Sequence, residues 1–97
     1  MIKSFGDQGT EDIFNGVNSK RARKTLPVHL HDAARQKLDL LNYATILSDL
    51  RIPPGNQLES LRGDREGQHS IRINRQYRIC FRWRDESAED VEITDYH

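Results

Sequence analysis

Three consecutive runs near the end of the chain alternate apolar and polar residues, and they constrain the fold more than any other feature. The runs are residues 68–73, 77–84 and 91–96. Successive side chains of a β-strand point to opposite faces, so each run predicts a strand with one apolar and one polar face. Short turns between the runs predict an antiparallel sheet whose apolar face is covered and whose polar face is open to solvent.

The polar face of this predicted sheet carries a row of cations. Arg78, Arg82 and Arg84 alternate with the apolar residues of the second run. Arg72 occupies the same phase in the first run. Guanidinium groups match the geometry of phosphate oxygens, so this face suits the backbone of a nucleic acid. The alternative is that these arginines pair with Glu92 and neighbouring acids on the adjacent strand.

The formal net charge is zero, but the charges are unevenly distributed. Residues 51–84 hold eight arginines and three acids, whereas residues 85–97 hold six acids and no lysine or arginine. Such a division fits a solvated surface of mixed charge, and it also fits an arginine face for an anionic polymer. Because the arginines share a strand phase, we favour the second interpretation.

The residues before the sheet supply its cover. Ile2–Phe5 predicts a short edge strand, and residues 10–16 predict a short helix with acids in its first turn. Residues 18–25 are polar and basic and predict a linker or an irregular helix extension. From 28 to about 44, an amphipathic helix is predicted because apolar residues recur at spacings of 4, 4 and 3. They are Leu30, Ala34, Leu38 and Leu41.

The remaining segments are short. Glu59–Ser60 predicts a brief strand, residues 62–67 a glycine-rich hairpin connection, and Asn74-Arg75 a two-residue turn with a positive φ. The predicted order is β-α-α-β-β-β-β. It describes one α+β domain over residues 1–97, with two helices packed on a small, mainly antiparallel sheet.

Several classes of protein are excluded by composition. There is no apolar run long enough to span a membrane, and the first residues lack the apolar core of a signal peptide, so we expect a cytoplasmic protein. The single cysteine, Cys80, allows neither an internal disulfide nor a multi-cysteine zinc site. The spacing of the histidines indicates no metal site, and we expect no cofactor.

The last three residues are the main candidates for chemistry. Tyr96 leaves the third strand in phase with the arginines, so its ring could stack on a base; a structural tyrosine is the alternative. His97 lies next to Asp95, and a carboxylate can orient an imidazole as a general acid or base near neutral pH. The alternative for His97 is a frayed chain end.

Four spaced segments resemble the HigB toxins of the RelE superfamily, the plasmid-maintenance killer proteins. They are Gly63-Asp64-Arg65, Ser70-Ile71-Arg72, Tyr77-Arg78-Ile79 and the closing Asp95-Tyr96-His97. The opening residues 1–5 and the stretch 44–50 are also similar, so the resemblance covers nearly the whole chain. It implies a RelE-like fold, which is similar to that of microbial ribonucleases.

The same resemblance implies a toxin of a type II toxin–antitoxin system that cleaves mRNA in the ribosomal A site without a metal. Its 2′-hydroxyl chemistry leaves a 2′,3′-cyclic phosphate and a 5′-hydroxyl. The implied partner is a HigA-type helix-turn-helix antitoxin, and operator DNA is bound only through the toxin–antitoxin complex. The catalytic residues would be Glu59, Arg72, Arg78, Asp95, Tyr96 and His97, and the RNA-binding residues Arg62, Arg65, Arg72, Arg78 and Arg82.

One position departs from the family pattern. Better-studied members carry a histidine just before the Leu-Lys/Arg-Gly-Asp turn, where this chain has Glu59. This difference keeps a second hypothesis open: a weakly active or non-catalytic protein that binds its antitoxin and RNA without cleavage. A third hypothesis is an α+β interaction domain whose arginines only pair with acids.

Overall fold

A computed structural model describes residues 1–96, and His97 lies outside the described residues. Within residues 1–96, three α-helices precede a four-stranded sheet, which confirms the predicted α+β class. Single 3-10 turns link these elements at Val28–Leu30, Leu47–Arg51, Pro54–Asn56 and Gly63–Arg65. The helices are α1 (Gln8–Phe14), α2 (Lys20–Thr25) and α3 (His31–Tyr43), and the strands are β1 (Glu59–Ser60), β2 (His69–Arg72), β3 (Tyr77–Arg84) and β4 (Ser87–Asp95).

The four strands pair in chain order, β1-β2-β3-β4, and every pair is antiparallel. The register aligns Ile71 with Ile79 and Ile79 with Ile93, and one row away it aligns Arg72 with Arg78. Directly opposed residues lie on the same face of a sheet. The register therefore confirms that the apolar residues and the arginines of the alternating runs occupy opposite faces.

The apolar face of the sheet and the helices form one core. Ala34, Leu38 and Leu41 of α3 are fully buried, as the helical spacing predicted. They belong to the same cluster as Ile79 and Phe81 of β3. The helix thus covers the sheet because its apolar stripe can be removed from water only against the apolar strand face.

The element order differs from the predicted one at two places. Residues 2–5 make isolated parallel bridges to β4, at Ile2 to Ala88 and at Phe5 to Val91, instead of a strand. Asp90, with a φ of 54°, lies between these two bridges and interrupts the ladder. Residues 18–25, predicted as a linker or an irregular helix extension, contain the separate helix α2, because the Ser19 hydroxyl caps the Ala22 N–H at 3.0 Å and Ala22 is buried. The observed order is therefore α-α-α-β-β-β-β.

The positive φ values also lie elsewhere than predicted. Asn74 keeps a negative φ, and its side-chain Oδ1 accepts the N–H groups of Gln76 and Tyr77 at 2.9 and 2.8 Å, which shapes the connection between β2 and β3. The two-residue turn with positive φ is instead Asp85-Glu86, between β3 and β4, with φ values of 51° and 61°. These values are typical of a type I′ hairpin turn.

We expect Glu86→Gly to raise the free energy of unfolding by about 1 kcal/mol, because a non-glycine residue in the left-handed region costs roughly that amount. Denaturant unfolding monitored by circular dichroism measures the change. Glu86→Ala removes the same charge but keeps a Cβ, so it should gain no such stability. A glycine variant no more stable than the alanine variant would contradict the expectation.

Candidate functional site

The polar face of the sheet is partly covered, and in this respect the predicted open face is wrong at its centre. Ser70 and Cys80 are fully buried, and Arg78 is 7% exposed. Gln57, just before β1, accepts a hydrogen bond from Arg78 Nη2 at 2.5 Å. The segment that connects β1 to β2 also crosses this face, because Arg65 reaches β4. Burial raises the pKa of the Cys80 thiol, so it stays a neutral strand residue.

Arg78 is the centre of the site. Its Nε donates to Ser70 Oγ at 2.7 Å, and its Nη1 lies 3.9 Å from Glu59 Oε1. Its Cζ lies 5.9 Å from the centroid of the Tyr96 ring, within the range of a cation–π contact. Three of the predicted catalytic residues, Glu59, Arg78 and Tyr96, are therefore brought together on one face. The predicted phase of Tyr96 is confirmed.

Beside Tyr96, an open groove of about 570 Å³ runs along the end of β4. Its volume falls within the roughly 300–1,000 Å³ of small-molecule sites. Two predicted RNA-binding cations line it, Arg62 and Arg65, and the exposed side chain of Arg62 has no hydrogen bond or ion pair within residues 1–96. We call it the arginine groove, and it is lined by Arg62, Asp64, Arg65, Thr94, Asp95 and Tyr96.

Arg65 is a fixed cation in the arginine groove. Its Nη1 donates to Glu92 Oε1 at 2.6 Å and to Gln68 Oε1 at 3.0 Å, and its Nη2 lies 3.4 Å from Thr94 Oγ1. The hydrogen bond with Glu92 raises the pKa of the Arg65 guanidinium. The group is thus permanently charged and oriented, with about a third of the side chain still exposed to a ligand.

The other arginines of the face divide into two kinds. Arg82 Nε lies 3.6 Å from Asp90 Oδ2, and Arg84 Nε lies 3.9 Å from Glu89 Oε1, so the alternative of cross-strand pairing holds for both. A register shift between Cys80 and Arg82 separates them from the site. Arg72 is paired in register with Arg78, is half-buried, and has no hydrogen bond or ion pair among the described residues.

Asp95 ends β4 at the rim of the arginine groove. The register pairs it with Tyr77, so strand alternation directs it opposite to its neighbour Thr94. Its Oδ2 accepts a hydrogen bond from Gln76 Nε2 at 3.1 Å. The predicted contact between Asp95 and His97 involves a residue outside the described part of the chain, and it stays a prediction.

Of the residues that hold the arginines in place, sequence reasoning anticipated only Glu92, and as a partner of the strand arginines and not of Arg65. Ser70 and Gln57 bind Arg78, and Glu92 and Thr94 bind Arg65. The strand phase places Ser70, Glu92 and Thr94 on the arginine face, but only the register shows which cation each one reaches. No sequence signal marks the Gln57 carbonyl, because its position depends on the path of a loop.

Neither a metal site nor a membrane segment is found in the described part of the chain. Residues 1–96 contain no group of three or more His, Cys, Asp or Glu side chains that could hold a metal ion. Within the same range, no helix has the length and apolar character needed to cross a membrane.

A second groove, of about 330 Å³, lies at the β1 edge on the helix side of the sheet. Ser60 Oγ and His69 Nδ1 approach to 3.3 Å there, and His69 packs on Phe81 with ring centroids 5.9 Å apart. Glu59 points to the other face, toward Arg78. We call this the edge groove, and it is lined by Leu47, Ser48, Arg51, Leu58, Ser60 and His69.

Burial at the edge groove lowers the pKa of His69 below its ordinary 6.5. Protonation therefore favours the unfolded chain, so the stability contributed by a neutral His69 is complete above about pH 6.5 and declines as the pH falls toward the folded-state pKa. We expect His69→Gln to flatten the unfolding free energy between pH 5 and 7, with His29→Gln as a control for residue type. An unchanged slope in His69→Gln would refute this.

Residues 3–97 match the family of HigB-like toxins, described as the RelE-like toxin of type II toxin–antitoxin system HigB. The chain belongs to this family. As a HigB-like protein it is a toxin of a type II toxin–antitoxin system, and the resemblance inferred from its spaced motifs is confirmed.

Two relatives support the assignment. Toxin HigB-1 of Vibrio cholerae is 42% identical over 85 residues, which cover 88% of this chain and 86% of the relative. Endoribonuclease HigB of Proteus vulgaris is 33% identical over 98 residues, with full coverage of both chains. This HigB-like chain therefore aligns with the Proteus relative from end to end and with the Vibrio relative over most of its length.

Solved structures show the same fold at low sequence identity. A YoeB–YefM complex from Staphylococcus aureus contains a chain that superposes with a TM-score of 0.61 at 12% identity, covering 100% of this chain and 98% of that one. A heterotetrameric YoeB–YefM toxin–antitoxin complex from the same organism gives a TM-score of 0.60, with the same identity and coverage. The likeness confirms the RelE-like fold.

Proposed function

We propose that this HigB-like toxin is an endoribonuclease that cleaves mRNA in the ribosomal A site and so halts translation. The observation that carries the proposal is the convergence of Arg78, Tyr96 and the arginine groove at one end of the sheet. Cations there can bind phosphate, and an exposed aromatic ring can stack on a base. The Proteus relative is itself named an endoribonuclease.

The proposed reaction needs only the RNA and the protein. The 2′-hydroxyl of one nucleotide loses its proton to a base and attacks the adjacent phosphorus, and the bond to the 5′-oxygen of the next nucleotide breaks as that oxygen gains a proton. The products are a 2′,3′-cyclic phosphate and a 5′-hydroxyl. Negative charge grows on the phosphoryl oxygens, and Arg72 and Arg78 stabilise it. Arg78 is held for this role by Ser70 and Gln57, so it needs little reorganisation.

The proton transfers are assigned to the chain end and to β1. His97 acts as general acid or base, Asp95 orients it, and Tyr96 stacks on a base of the mRNA. Glu59, exposed and 3.9 Å from Arg78 Nη1, occupies the position of the family histidine and is the candidate for the second proton-transfer group.

The proposed partners follow from the toxin family. They are a HigA-type helix-turn-helix antitoxin, the ribosome and its mRNA. Operator DNA is reached only through the antitoxin complex. The RNA contacts are assigned to Arg62, Arg65, Arg72, Arg78 and Arg82, of which Arg82 is partly neutralised by Asp90. The protein acts in the cytoplasm and uses no cofactor.

Inducible expression tests the proposal. We expect the wild-type chain to arrest growth and to produce primer-extension stops within translated mRNA, and His97→Ala to do neither. A C-terminal tag should also relieve toxicity, because it would obstruct Tyr96 and His97. Equal growth of both strains with intact mRNA would contradict the proposal.

Glu59 favours one second candidate, a toxin that binds antitoxin and RNA with little or no cleavage. A carboxylate cannot replace an imidazole at every step, since it is a weaker proton donor at neutral pH. Primer extension with Glu59→Ala and Glu59→His separates the two. Cleavage that appears only in Glu59→His would support the binding protein, whereas cleavage by the wild type that Glu59→Ala reduces would support the enzyme.

A further inference from the structure

The edge of the sheet at β1 has unused backbone hydrogen-bonding groups. The Leu61 N–H donates to Gln68 O at 2.9 Å, so Leu61 and Gln68 form a hydrogen-bonded pair of the antiparallel ladder. Hydrogen-bonded and non-hydrogen-bonded pairs alternate along an antiparallel ladder. The N–H and C=O groups of Leu58 and Ser60, which fall in the non-hydrogen-bonded positions, therefore point away from β2. Within residues 1–96, neither Leu58 nor Ser60 forms a backbone hydrogen bond with another element on that side. β1 therefore ends the sheet with a free edge.

The edge groove lies beside this free edge. Leu58 and Ser60 line it with their side chains, on the face opposite to the arginine groove. An added strand would place every second side chain toward this face, and the groove could receive one. The ligand that such a site fits is therefore an extended polypeptide. RNA lacks the matched row of N–H and C=O groups that a sheet edge recognises.

Two exposed isoleucines and one cation adjoin or belong to the turn that lines the edge groove. Ile46 and Ile52 flank the turn Leu47–Arg51, and they are 55% and 75% exposed. Leu47 and Leu58 add apolar surface within the groove itself. Exposed apolar side chains next to a groove are typical of a site for protein association. Arg51 is exposed and has no ion pair within residues 1–96, so it can meet an acid on the partner.

We propose that the edge groove is the docking site of the antitoxin, which adds an extended segment along β1. The segment would carry apolar side chains for the groove and for Ile46 and Ile52, and an acidic residue opposite Arg51. This inference rests on the antitoxin pairing proposed above. It assigns the antitoxin to the helix side of the sheet and the RNA to the opposite face.

Ser60→Pro tests the added strand. Proline removes the outward N–H of Ser60 without touching the hydrogen bonds between β1 and β2, because that N–H takes no part in them. Ser60→Ala is the matched control, since both variants lose the hydroxyl contact with His69. The probe is the purified antitoxin encoded beside the toxin gene, with affinity measured by titration calorimetry.

We expect Ser60→Pro to weaken antitoxin binding about tenfold or more, the change that loss of one backbone hydrogen bond gives, and Ser60→Ala to bind within about twofold of wild type. Arg51→Glu should also weaken binding, whereas Arg23→Glu, an exposed cation on α2, should not. Equal affinities for all four variants would overturn the edge proposal. Failure of the wild-type chain to bind the antitoxin would instead overturn the pairing itself.

Amide hydrogen exchange gives a second measurement that does not depend on the fold of Ser60→Pro. In the wild-type complex we expect slowed exchange at Leu58 and Ser60. Unchanged exchange at both amides would overturn the proposal, and so would the same protection in concentrated toxin alone, because the occupant would then be a second copy of this chain.

Discussion

Leu41→Asp should abolish the folded state. Leu41 is fully buried on α3, in the same cluster as the strand residues Ile79 and Phe81. Removing a buried leucine side chain costs about 2–5 kcal/mol, and burying an unpaired carboxylate costs several kcal/mol more. The sum approaches the roughly 5–15 kcal/mol by which small domains are stable. The sheet would lose its cover and, with it, both grooves.

The next residue on the same helix provides the control. Leu40 is 40% exposed, so Leu40→Asp can keep its charge in water and should remain folded. Circular dichroism and a thermal scan distinguish the two variants. A cooperative unfolding transition in Leu41→Asp, close to that of wild type, would show that α3 does not cover the sheet in the way described.

Arg72→Ala should lower the rate of mRNA cleavage by about 10²–10³-fold, the usual cost of removing one group that stabilises transition-state charge. Arg72 is paired in register with Arg78 yet has no hydrogen bond or ion pair within residues 1–96. Its cation is thus free to meet the phosphate. For the same reason the free energy of unfolding should change by no more than about 0.5 kcal/mol.

Arg84→Ala is the matched control for Arg72→Ala. Arg84 lies on the same strand face, but it is exposed, approaches Glu89, and sits at the far end of β3. We expect it to cleave ribosome-bound mRNA at the wild-type rate under single-turnover conditions. If Arg72→Ala cleaved at the wild-type rate, or if both variants lost the same fraction of the rate, Arg72 would have no specific role in the reaction.

The sheet could be predicted from the sequence because its strands are half-buried. In a half-buried strand, the alternation of apolar and polar residues shows which side of the strand faces the core. The observed register aligns Ile71, Ile79 and Ile93 on the core side, as that alternation predicted. The stripe on α3 was predictable for the same reason. The phase of Tyr96 followed from Thr94 and Glu92 on the same strand.

The burial of Arg78 could not be predicted in this way. Arg78 and Arg82 have the same strand phase, and both are flanked by apolar or aromatic residues in the sequence. Arg78 is nevertheless buried, whereas Arg82 pairs with Asp90. The difference depends on loop path: the Gln57 carbonyl accepts a hydrogen bond from Arg78, whereas the same segment, residues 57–67, leaves the Arg82 side chain 39% exposed beside Gly67. Helix α2 was only one of two alternatives for residues 18–25, because its residues are polar apart from Ala22 and its stability comes from the Ser19 cap and packing on α1.

The assignment of RNA to the face of the arginine groove is the central claim, and two exposed arginines test it most directly. Arg62 lines the arginine groove and Arg51 lines the edge groove on the opposite face, and neither has an ion pair within the described residues. The measurement is the single-turnover cleavage rate of mRNA in the ribosomal A site. We predict a loss of about tenfold or more for Arg62→Ala and none for Arg51→Ala. Equal rates for the two variants, or a loss confined to Arg51→Ala, would contradict the account.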